Sequence, residues 1–208
     1  MANTTAPLSE VGVASMAAGL LDDYNISDLD DNRPIVRMMA REFGYARDEV
    51  LQAYPWHPAV TRASIDPEAD APSFGWTYAY NLPDDCLFLH PLRVDGYING
   101  APIPYEVELG QILTDQAGPL YIRYTKRLTN IAKWRPLMAR VLAARLAIYA
   151  STRVTGKIQY FEKAQTEYNR VFFEATRADA LERGTIESYG GSGDYGVDTF
   201  TVRGLTNG

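Results

Sequence analysis

Two histidines, His57 and His90, and one cysteine, Cys86, are the chain's full supply of imidazole and thiol chemistry. The histidines stand 33 residues apart, in neither an HxxxH nor an HxH spacing. A protein zinc site takes three or four such ligands, so no metal site is expected. His57 lies between Trp56 and Pro58 and reads as a packing or hydrogen-bonding residue. Cys86 follows Asp84-Asp85 and opens an apolar run, where a small strand residue belongs rather than a nucleophile activated by a base. A single cysteine also excludes an intrachain disulfide. There is no Gly-x-Ser-x-Gly elbow and no phosphate-binding glycine loop; the Gly-Gly-Ser-Gly at 190–193 has the composition of a linker.

Carboxylate pairs could serve glycoside hydrolysis, which needs two acids at a fixed separation. Asp22-Asp23, Asp28, Asp30-Asp31, Asp84-Asp85, and Glu106 with Glu108 are the candidates. Each has a local explanation. The first groups lie in turns, and Glu106 and Glu108 share the wet face of a strand. No catalytic residue and no cofactor is expected. Cations that could face phosphate or a neighbouring subunit are Arg123, Lys126, Arg127, Lys133, Arg135, Arg140, Arg145, Arg153 and Lys157, most of them opposite an apolar helical stripe; Arg145 falls near the stripe itself.

Charge along the chain is uneven. The total is −6, yet residues 1–56 carry 4 basic and 9 acidic groups, 57–121 carry 2 and 9, 122–183 carry 13 and 5, and 184–208 carry 1 and 3. This pattern suits surfaces with different partners or complementary subunit faces, or solvated helix faces. The residues are 46% hydrophobic and 22% charged with a mean hydropathy of −0.24, which excludes a wholly disordered or fibrous chain. No apolar run approaches the ~18–20 residues of a membrane span, and MANTTAPLSE has neither the basic start nor the apolar core of a secretory signal.

The elements that would position these groups follow from periodicity. Ser9 caps a helix to Leu21 with Val13, Met16, Ala17 and Leu20 on one face. A second helix starts at an Asn32 cap with Pro34 in its first turn. It carries Ile35, Met38, Met39, Phe43, Ala46, Val50, Leu51 and Tyr54, and ends before Pro55 and Pro58. Residues 66–74 are a polar loop. Trp76–Tyr80, Leu87–Val94, Tyr105–Leu109 and Leu120–Tyr124 read as short strands, with a type I′ hairpin at Asn99-Gly100. A third helix from Arg135 bears Leu137, Met138, Val141, Leu142, Leu146, Ile148 and Tyr149 and stops near Thr155-Gly156. A fourth, with Ile158, Phe161, Gln165, Tyr168, Val171, Phe172 and Ala175 on one face, runs to about Leu181 and pairs with it as an αα-hairpin.

Residues 184–208 hold seven glycines and no apolar stripe, yet keep Ile186, Tyr189, Tyr195, Val197, Phe200 and Val202. The stretch reads as an extended, flexible arm that orders on a partner. The expected fold class is α+β. Residues 1–60 and 130–183 form a four-helix bundle, 61–129 an inserted small antiparallel β-sheet or barrel, and 184–208 the C-terminal arm.

Several phrases in order carry a resemblance: Tyr45-Ala-Arg-Asp-Glu-Val-Leu-Gln-Ala-Tyr-Pro-Trp56, Arg62-Ala63, Trp76-Thr-Tyr-Ala-Tyr-Asn-Leu-Pro-Asp-Asp-Cys-Leu87, Tyr105-Glu-Val-Glu108 with Ile112-Leu113, Leu120-Tyr-Ile-Arg-Tyr124 and Arg177-Ala-Asp-Ala180. From about residue 8 to 182 the chain resembles the head-to-tail adaptor family of tailed bacteriophages, also called tail tubular protein A. The resemblance implies a ring, usually of twelve copies, in the virion neck between the portal protein and the downstream tail or nozzle protein, with DNA passing through the channel. It implies helices packed subunit to subunit, a β region facing the tail, and an arm that reaches the portal. Ile186, Tyr189, Tyr195, Phe200 and Arg203 are its expected portal anchors, since aromatic groups and arginine supply much of the energy at interfaces. Arg123, Lys126, Arg127, Lys133 and Arg140 are expected at subunit contacts or the channel. The alternatives are a cell-wall-degrading virion protein, an activity assigned to some members, and a DNA-packaging accessory protein.

Overall fold

A computed structural model describes residues 8–22, 26–97, 99–151 and 156–182. Among them are four helices and two three-stranded antiparallel sheets, a mixed α+β architecture. None of the helices is long and apolar enough to cross a membrane.

Helix α1 (Glu10–Leu20) starts where expected. Ser9 is extended, and its hydroxyl accepts the Gly12 N–H at 3.1 Å, satisfying one amide that the first turn leaves open. Its buried face is Val13, Ala14, Ala17 and Ala18, small enough for a neighbouring backbone to come close, while Met16 turns outward. Helix α2 (Pro34–Ala53) begins at proline, whose missing N–H would have had no partner there. The capping residue is Arg33 rather than Asn32. Asp31 takes the Arg33 N–H at 3.0 Å and its guanidinium at 2.8 Å, and these bonds hold the Asp31 carboxyl below the usual carboxylate range. At the far end Tyr54 turns extended ahead of Pro55, as a residue before proline must. The Trp56 indole then folds back to donate to Val50 O at 2.7 Å and packs edge-on against Tyr54 and Phe172.

Helix α3 (Pro136–Ala150) departs from the single-stripe expectation. Met138, Ala139, Val141, Leu142, Ala143, Ala144, Leu146, Ala147, Ile148 and Ala150 are all buried, so apolar side chains surround its axis. It is the hub against which α1, α2 and α4 (Ile158–Glu182) pack. Helix α4 is amphipathic. Its stripe begins at Phe161 instead of Ile158, which is exposed. The expected stop of α3 at Thr155 falls outside the described residues; the regular helix ends at Ala150.

Between α2 and α3 run β1 (Val60–Ile65), β2 (Tyr78–Asn81), β3 (Cys86–Leu89), β4 (Glu106–Glu108), β5 (Gln111–Thr114) and β6 (Leu120–Lys126). They form two sheets where one sheet or barrel was expected, ordered β1-β6-β3 and β2-β5-β4. In the first, Arg62 faces Arg123 and Ala63 faces Ile122; in the second, Tyr80 faces Ile112. Strands β1 and β5 are absent from the expected set. The hairpin is also displaced. Asp95 and Gly96, with φ 54° and 68°, make the primed turn, closed by the Tyr97 N–H on Val94 O at 3.3 Å. A second pair, Leu109 and Gly110 with φ 47° and 80°, joins β4 to β5. Asn99-Gly100 makes no such turn: Arg93 bridges Pro102 around it.

Two apolar cores result. The larger holds the helices, Trp56, Ile131 and Trp134. The smaller gathers Tyr80 and Ile112 from one sheet with Leu120, Ile122 and Tyr124 from the other, plus Leu92 and Ile103. Both sheets therefore turn one face toward a common core and the other outward. Helix α2 joins the two parts: Gln52 donates to Leu87 O at 3.0 Å, and Asp48 accepts from Arg127 at 2.9 Å.

Candidate functional site

The residues suited to chemistry are built into the scaffold at separate places. The His57 backbone N–H donates to Asp179 Oδ1 at 2.9 Å and its Nδ1 lies 3.4 Å from Oδ2, tying the start of the β unit to α4. His90 sits on the first sheet with Nε2 3.1 Å from the Thr125 hydroxyl and its ring edge-on to Phe88. Cys86 opens β3, where burial pushes its thiol up, away from the reactive thiolate. Among the described residues no group of three His, Cys, Asp or Glu is arranged to hold a metal ion.

Asp22, Asp28, Asp31, Asp85 and Glu106 have partners in the turns and strands where they were expected. Asp85 accepts from Lys126 at 2.8 Å and from the Tyr124 hydroxyl at 3.0 Å, and the Lys126 ammonium holds the Asp85 carboxyl low. Burial, with Asp85 beside it, pushes the Tyr124 phenol up to about 12. Asp28 closes its own turn on the Asp30 N–H at 3.0 Å, and Asp22 pairs with Lys163 at 2.9 Å. Asp23 lies outside the described residues. Glu106 and Glu108 are exposed on β4, and Glu106 accepts the Trp76 indole N–H at 3.0 Å.

Part of the uneven charge closes on itself. Acidic residues of the first half meet cations of the second in Asp22–Lys163, Asp48–Arg127, Glu49–Arg145 and Asp85–Lys126. Arg145 also lies over the Tyr149 and Tyr168 rings, while the Tyr149 hydroxyl donates to Glu49 at 2.6 Å, so α2, α3 and α4 are pinned at one point. Exposed ion pairs are worth about 0–1 kcal/mol each, so these set registration more than stability. Of the five cations expected at subunit contacts or the channel, Lys126 and Arg127 hold carboxylates near α2 and β3, and Arg140 holds Glu167 of α4 at 3.0 Å. Lys133 is exposed in the turn before α3, and Arg123 stands on the outward face of β6. They do not gather into one patch. The expected portal anchors Ile186, Tyr189, Tyr195, Phe200 and Arg203 lie outside the described residues.

What the fold does gather lies on the two outward sheet faces. On the first sheet, His90, Arg93, Tyr97, Tyr121 and Arg123 line a cavity of about 220 Å³ together with Pro91 and Gly96, and among the described residues no carboxylate lines it. Gly96 must be glycine there: a Cβ would stand 2.9 Å from that of Tyr121. Arg62 extends the face, directly across from Arg123. On the second sheet, a groove of about 500 Å³ is lined by Glu68, Asp70, Glu106 and Glu108 with Phe74, Trp76 and Gln111, and no cation lines it. Sequence reasoning found Glu106, Glu108 and Arg123 but not their companions. Alternation in Leu120–Lys126, which puts Tyr121 with Arg123, was the available signal.

Comparison with models of known protein families finds no match, and comparison with curated proteins finds none either.

Proposed function

We propose that the chain is a structural adaptor of a phage neck, a ring of twelvefold order by resemblance, joining the portal protein to the downstream tail protein around a channel for DNA. The observation that carries this reading is the element order. Two helices lead into a β unit with its own core, and two more helices return to pack on the first pair. That is the order the resemblance implies, with the helices as the packing body of the ring, the β unit toward the tail, and residues 184–208 toward the portal. Its place is the virion head–tail junction, after assembly in the host cytoplasm, and its work is mechanical rather than catalytic. Lys126, Arg127 and Arg140 are neutralised within the chain, which suits a wall that DNA slides past without sticking.

Deleting residues 184–208 leaves a folded monomer that no longer sediments with the portal of the same phage, while the full chain forms symmetric rings on it in negative stain. Normal assembly after that deletion sinks the portal-anchor assignment. The acidic groove favours one alternative, hydrolysis of cell-wall glycan by two carboxylates. Clearing of a peptidoglycan zymogram, abolished by Glu106→Gln or Glu108→Gln, would decide for it. The DNA-packaging reading instead requires salt-sensitive binding of the isolated chain to duplex DNA.

A further inference from the structure

The β unit is electrically two-sided. Residues facing the shared core alternate with residues facing away, so each of the two sheets keeps an outward side of its own. One side presents Arg62, Arg93 and Arg123; Asp95, the carboxylate of the turn beside them, is not part of the cavity wall. The other presents Glu68, Asp70, Glu106 and Glu108. Each side also leaves large apolar groups in water. Tyr97 is 71% and Tyr121 46% exposed on the cationic side; Phe74 is 88% exposed on the acidic side, and Leu109 is fully exposed at the β4–β5 tip beside Glu108.

We propose that these two sides bind each other between successive copies of the chain, the arginine–tyrosine cavity of one copy receiving the acidic rim and Phe74 of the next. The inference rests on the ring reading and adds a contact between β units to the helix packing which that reading gives the ring. Either side placed against its own image brings like charges together, which disfavours a two-fold dimer. Opposite charges on separate faces favour a head-to-tail contact, the kind that repeats and closes into a ring. Guanidinium groups pair with carboxylates and also stack on aromatic rings, so the same arginines can take both parts of the rim.

The test uses the full chain with one side reversed at a time: Arg62→Glu with Arg93→Glu, and Asp70→Lys with Glu108→Lys. Sedimentation at high protein concentration and low salt shows self-association of the unaltered chain. Each variant alone associates about tenfold or more weakly, and an equal mixture of the two associates again, because an all-acidic copy then meets an all-basic one. Recovery in the mixture excludes misfolding as the cause. An unaltered chain that stays monomeric throughout overturns the contact, as does undiminished association of either variant or a mixture that stays monomeric. A labelled single-stranded oligonucleotide that binds the unaltered chain and not the arginine variant, with no self-association, overturns it in favour of nucleic acid. Rings on the portal that form equally well from both variants overturn the contact but leave the ring reading intact; no rings from the unaltered chain overturn both.

Discussion

The helical part and the β unit solve the same problem of burying apolar surface, but they handle charge in opposite ways. The helical part wraps α3 on all sides and matches acid to base across its own elements, as in Glu49–Arg145 and Arg140–Glu167. The β unit has a smaller core and, besides the Asp85–Lys126 pair, groups arginines along one cavity and carboxylates along another. That contrast fits the proposal above, in which the helices hold the chain together and the sheets meet a neighbouring copy.

The largest expected effect tests the cohesion side. Leu142 is fully buried in the hub, so Leu142→Ala costs about 2–5 kcal/mol of stability by thermal or urea unfolding. A loss under about 1 kcal/mol would mean that α3 is not the hub. Next comes the high-pH limb of the β unit. The Tyr124 phenol is raised, so the stability it contributes is complete below its ordinary value near 10 and is lost as pH rises toward about 12. The loss approaches about 1.4 kcal/mol per pH unit in that window. Tyr124→Phe removes this dependence, as followed by phenolate absorbance alongside unfolding; an unchanged profile would place the titration elsewhere.

Smaller again is Gly96→Ala. It combines a positive φ with a close approach to Tyr121 and costs about 1–3 kcal/mol, against about 1 kcal/mol for Gly110→Ala, whose added Cβ meets nothing. Equal losses would show that the loop does not press on the sheet. The smallest effect is the Glu49–Arg145 coupling, about 0.5–1 kcal/mol in a double-mutant cycle because both groups are partly solvated. A coupling indistinguishable from zero would make the charge matching in the helical part incidental.

The sequence announced the helices more clearly than the sheets, and the residues explain why. Capping at Ser9, proline at position 34 and the Phe43–Val50 spacing act locally, and local rules located α1 and α2 to within a residue or two. Strand β1 was hidden because its inward residues, Thr61, Ala63 and Ile65, are a weak apolar series beside Arg62 and Ser64. Strand β5 was hidden because its turn uses Leu109, a residue type that does not advertise positive φ. Asp95-Gly96 and Asn99-Gly100 carry the same local signal, but only the first takes positive φ at both residues. Alanine, indifferent in a periodicity count, concealed how fully α3 is enclosed. The candidate faces stayed illegible for a related reason: Arg93 and Arg123, like Glu68 and Glu108, are far apart in the chain, and only the folded loops and sheets bring each pair to one cavity.

The enclosure of α3 also sets an order of events during synthesis. The β unit is one unbroken stretch from Val60 to Lys126 and can close while the ribosome is still making α3 and α4. Helices α1 and α2 cannot bury their apolar faces until α3 emerges, more than eighty residues after α2 ends. The nascent N-terminal quarter therefore waits with its greasy surface uncovered, and the speed of translation through the strands governs how long that exposure lasts.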